Sequence, residues 1–165
     1  MKMSAQRDRG WRLHEAPFPF QQTFVTPLQN LSLFVPTLLS TFDFQELAIK
    51  IETVVFEPDE LIAFLAHYGI DKREEPWLDG ETFIAENKVE AAKLLEATLA
   101  DWIDFAAMPS PEETFAIYAD HDEYITVFTQ SEVLLNTFRE SMKKFHFKEV
   151  EDWYWDGPKS LGKVE

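Results

Sequence analysis

The sequence predicts an α+β domain in which helices pack on one face of a mainly antiparallel sheet of about four strands. Three observations carry that prediction. Apolar and polar residues alternate over 47–51 and on both sides of residues 120–123, which is the period of half-buried strands. Two longer stretches, opening at Pro58 and at Asn87, repeat apolar residues every three or four positions between helix start and stop signals. The elements then run strand, helix, helix, strand, strand, helix, strand, an order that suits an antiparallel sheet with segregated helices.

In chain order, residues 1–15 mix charges without periodicity and read as a flexible arm, leaving 16–165 as a single domain. Residues 16–42 contain no charged side chain but four prolines. That is too broken for a spanning helix of about 20 apolar residues and lacks the unbroken core of a secretory signal. The stretch reads as an apolar arm across the core, with 28–34 a short strand or helical turn. From Leu47, alternation through Ile49 and Ile51 continues into "TVVF" and predicts a strand whose end at Phe56 is deeply buried.

A first helix follows, with Pro58 at its first position and Gly69 just past its end. Asp59 and Glu60 suit its positive pole, and Leu61, Ile62, Leu65 and Tyr68 form its inner face. Residues 70–86 read as a surface connection. Asn87 with Glu90 resembles a capping box and opens a long helix over 88–106, striped by Leu95, Leu99, Trp102, Ile103 and Ala106 and stopped by Pro109 and Pro111. Residues 114–119 and 123–129 alternate and predict an antiparallel hairpin. Thr129 with Glu132 marks another cap, for a helix whose Leu134, Phe138, Met142 and Phe145 share a face. "FKEVEDWYW" reads as the last strand.

Composition narrows the function. The 165 residues fit one domain able to bury roughly two-thirds of its unfolded surface. With no cysteine, disulfide frameworks, thiolate nucleophiles and thiolate metal sites are excluded, and a reducing, cytoplasmic setting fits. Residues 1–15 hold four bases and two acids, against 11 bases and 28 acids in the remainder. The body is therefore strongly anionic. It would repel nucleic acid and anionic membranes while steering in a basic protein. The five glycines make no phosphate loop and no serine sits in a nucleophile elbow, so no cofactor site or acyl-transfer site is legible. Oligomeric state is not legible either.

Two segments carry candidate site residues. Asp120, His121, Asp122 and Glu123 lie where the hairpin reverses, and Asp favours turns because its carboxylate bonds nearby backbone. The alternative is a metal-assisted hydrolase site there, helped by Glu112 or Glu113, which needs ligands converging around an open position. Further along, Trp153, Tyr154 and Trp155 are consecutive beside Glu151 and Asp152. Successive strand side chains alternate faces, so at least one aromatic is offered outward unless the sheet is covered on both sides, and such residues dominate binding hot spots. In general character a small, acidic, aromatic-rich α+β domain without cysteine resembles bacterial immunity proteins that neutralise basic toxins. The resemblance is one of composition and transfers no residue. The expectation is a non-catalytic protein that binds a basic protein partner, through Trp153, Tyr154, Trp155, Glu151 and Asp152 and through Asp120, Asp122 and Glu123.

Overall fold

The computed structural model describes residues 1–3, 18–70, 78–110 and 112–151. Its strands are β1 (Lys2–Met3), β2 (Phe20–Val25), β3 (Glu46–Thr53), β4 (Thr82–Ala85), β5 (Asp104–Ser110), β6 (Phe115–Ala119), β7 (Tyr124–Thr129) and β8 (Glu149–Val150). The helices are α1 (Leu31–Ser40), α2 (Asp59–Ala66), α3 (Lys88–Ala100) and α4 (Glu132–Lys144). All strand pairs are antiparallel, in the order β1-β4-β3-β5-β6-β7-β2-β8. The α+β class and the antiparallel sheet are as expected, but among the described residues the sheet has eight strands rather than about four.

The extra strands come from segments read otherwise. The apolar stretch 16–42 is no arm across the core: it supplies β2, paired to β7 through six residues, and then α1. Pro36 sits inside α1 and costs one backbone bond, roughly 3 kcal/mol. Burial of Leu31, Phe34, Val35, Leu38 and Leu39 outweighs it, at about 1.5–3 kcal/mol for each large side chain. Thr82–Ala85, inside the expected surface connection, is a fully buried strand against β3. Lys2 and Met3, expected to be disordered, pair with β4.

The largest correction is to the long helix, which ends at Ala100 rather than near 106. Trp102 turns into the left-handed region (φ 54), the position that closes a helix, and Ile103 N–H reaches back to the Thr98 carbonyl at 3.1 Å. Glycine usually fills that place, so the sequence shows no stop signal there. Asp104–Ser110 then forms β5 in the middle of the sheet, so Ala106, expected on the helical stripe, belongs to a strand instead.

Other signals hold with small displacements. Asn87 caps α3 by accepting the Glu90 N–H at 3.0 Å, while the Glu90 carboxylate takes the Glu86 N–H. Gly69 (φ 69) ends α2, but Pro58 precedes that helix as its capping residue instead of opening it. Ser131, two residues beyond Thr129, caps α4 by accepting the Leu134 N–H. Leu61 and Leu65 are buried as expected whereas Tyr68 is exposed, and Phe145 is half-exposed while Leu135 joins Phe138 and Met142 inside.

One core cluster unites the buried residues of all four helices with Leu47, Ile49, Phe105, Ile117 and Val127 from the sheet. Phe138 meets Phe24 edge-on with ring centres 5.3 Å apart. The opposite face of the sheet carries a second, smaller cluster of Met108, Ala116 and Phe128 with Phe18 and Tyr118 packed on it. Thr23 and Thr126 share a buried hydroxyl bond of 2.8 Å between β2 and β7.

Candidate functional site

The chain reverses at one end of the sheet, between β6 and β7, in the run Asp120–Glu123. The pairing of Ala119 with Ile125 holds both strands in register up to that point. Asp120 N–H donates to the Tyr124 carbonyl at 3.3 Å, and Asp120 Oδ1 accepts the Asp122 N–H at 2.9 Å. Glu123 takes φ 74 to complete the reversal. The acidic run is thus the tip of a hairpin.

Asp104, opening β5 on the neighbouring strand, pins this tip. Its Oδ1 accepts the His121 backbone N–H at 2.8 Å and stands 2.9 Å from His121 Nδ1. That contact raises the His121 pKa above its ordinary value, with desolvation opposing and the Asp122 and Asp120 charges assisting. Burial pushes the Asp120 carboxyl up, against the bond from Asp122 N–H. Asp122 and Glu123 stay exposed.

The same end gathers more carboxylates. Thr53 closes β3 beside Asp104, so Val54–Glu57 leave the sheet here, and Asp79 accepts the Val54 N–H at 3.0 Å. Asp101, just past α3, accepts the Glu60 and Leu61 N–H groups at 3.2 and 2.7 Å. It serves as the cap that Pro58 cannot provide and brings Asp59 and Glu60 to this end. Burial raises its pKa, against those two bonds. Amid these acids Val55 and Phe56 are 46 and 56 % exposed, contrary to the expected burial of Phe56. The described bases at this end are few: Lys50 lies 3.5 Å from Glu52, and Lys148 sits at the far corner, where its carbonyl accepts the Val25 N–H.

The predicted residues divide accordingly. Asp120, Asp122 and Glu123 are brought together. Glu112 and Glu113 precede β6 at the opposite end of the sheet, about 20 Å away at strand rise, and cannot join them. Glu151 is exposed beyond β8 on the sheet's edge. Asp152, Trp153, Tyr154 and Trp155 lie outside the described residues. Asp101, Asp104, Glu60, Val55 and Phe56 were missed, because their proximity to the tip depends on strand pairing and on where α3 ends.

His121 Nδ1 and Asp104 Oδ1 face each other, and Asp120 Oδ1 is engaged by backbone. Among the described residues no group of three or more His, Asp or Glu side chains is placed to hold a metal ion. No described helix is long and apolar enough to cross a membrane. No protein-family model matches the chain, and neither a curated protein nor a solved structure matches it.

Proposed function

We propose that this is a non-catalytic interaction protein that captures a basic protein through the acidic end of its sheet, in the manner of toxin-neutralising immunity proteins. The observation that carries the reading is the exposure of Val55 and Phe56 just past the strand end that pairs with Asp104, at the same end of the sheet as the exposed Asp122 and Glu123. Exposed carboxylates at an edge steer a cationic partner and raise its association rate. An aromatic side chain that is desolvated on contact supplies slow dissociation. The net charge of −15 adds long-range attraction and disfavours anionic ligands.

The test begins with a pull-down from the native host eluted by a salt gradient, followed by kinetics on the recovered partner. Phe56→Ser should mainly speed dissociation. Replacing Asp122 and Glu123 by Asn and Gln should mainly slow association and flatten its salt dependence. Recovery of only a small molecule or a metal, or dissociation unchanged by Phe56→Ser, would overturn the reading.

A further inference from the structure

The helix layer carries a groove that opens onto this acidic end. Its floor is the outward side of α3 at Ala97 and Ala100, and its walls are the start of α1 on one side and α2 on the other, enclosing about 770 Å³. Leu28, 37 % exposed, lines it together with Ala63 and Phe64. The orientation follows from the chain. Thr26 N–H bonds to the Glu123 carbonyl, so Leu28 and the start of α1 lie at the acidic end, and Asp101 holds the start of α2 there with Glu60 at the groove's mouth. Tyr68 marks the other end.

We propose that this groove receives an amphipathic helix of the basic partner, apolar face inward, with its cationic side chains toward Glu60 and the acidic end. The inference rests on the preceding reading and specifies what the partner presents. Helix is favoured over extended chain because every wall is helical and offers no unpaired strand edge for backbone pairing. Alanines at 63, 97 and 100 leave room for a helix axis to approach within the usual 8–10 Å. From Glu60 to Tyr68 the groove runs about 12 Å at helical rise, enough for apolar side chains at i, i+3 or i+4, and i+7. Charge complementarity sets the sign: Lys93 is occupied by Glu96 at 2.9 Å, while Glu60 at the mouth is exposed and has Asp59 and Glu57 beside it in the chain.

The probe is a synthetic helix of about 14 residues built only from leucine and lysine in that pattern, labelled for fluorescence anisotropy, with a leucine–glutamine version as control. The lysine peptide should bind and weaken with salt, and the glutamine peptide should bind more weakly with little salt dependence. Ala63→Glu is the deciding variant, since Ala63 is exposed on α2 and glutamate is a good helix former. It adds attraction for lysine yet obstructs the groove. A fall of about ten-fold in affinity supports the groove, as loss of a buried contact would give. Equal or tighter binding to Ala63→Glu places the peptide elsewhere and overturns this inference while leaving the basic-partner reading intact. No binding of the lysine peptide also overturns it, whereas that reading stands or falls on Phe56→Ser and the natural partner.

Discussion

Asp101 is the joint between α3, α2 and the acidic end, so its removal tests the architecture of the candidate surface. The residue is only 8 % exposed, and its carboxylate takes one bond of 2.7 Å from the buried Leu61 N–H and one of 3.2 Å from Glu60 N–H. In Asp101→Ala the Leu61 N–H loses its acceptor, a cost of about 1–3 kcal/mol for a buried donor. The Glu60 N–H lies nearer solvent and finds water. Losing a negative charge at the start of α2 adds roughly 0.3–1 kcal/mol; losing a carboxylate that burial disfavours offsets part of it. The net expectation is about 1–3 kcal/mol, which a slope of about 2 kcal/mol/M turns into a urea midpoint lower by roughly 0.5–1.5 M. Asp101→Asn keeps an acceptor and should cost less. The sign of the pH dependence is also fixed. A carboxyl raised in the folded state holds its proton more tightly there than in the unfolded chain, so its contribution falls as pH rises from the ordinary value of 3.8 through the folded one. The wild-type advantage over Asp101→Ala should therefore be larger at about pH 4 than at pH 7. A variant as stable as wild type, with the Leu61 amide exchanging no faster, would refute the reasoning.

At the hairpin tip, an NMR titration should place the His121 pKa above 6.5, and Asp104→Asn should lower it. Because that pKa is raised by folding, its small stabilisation is present below the unfolded value and fades as pH climbs through the folded one; an unshifted His121 would show that the Asp104 contact does not persist in solution. Glu123→Gly should raise stability by about 0.5–1 kcal/mol by relieving a left-handed non-glycine residue, and a lowered melting temperature would contradict the turn geometry. Millimolar zinc or manganese should leave the melting temperature unmoved, whereas a saturable rise with one-to-one stoichiometry would revive a metal site at the tip through preferential binding to the folded state. Phe138→Ala should cost about 3–5 kcal/mol, as expected for a fully buried ring, against which a loss under 1 kcal/mol would count.

What the sequence determined by itself were features set within a few residues of chain. The 115–129 hairpin was legible because alternation and a turn-forming acidic run are local. The start of α3 was legible because Asn87 bonds an amide three residues on, and the end of α2 because Gly69 takes a left-handed conformation. Net charge and the lack of cysteine are sums over the chain and need no fold. The tertiary structure decided where local signals were silent or misleading. Nothing near Trp102 announces a helix end, and a short apolar run such as 105–108 has the same composition in a helix as in a buried strand; its pairing with both β3 and β6 settles the matter. Pro36 reads as a breaker until the core that absorbs its cost is assembled around α1. The candidate surface is of this second kind throughout. Val55, Glu60, Asp79, Asp104 and Glu123 are spread over almost 70 positions of sequence, and they share one end of the molecule only because antiparallel pairing and the Asp101 cap return successive elements to it.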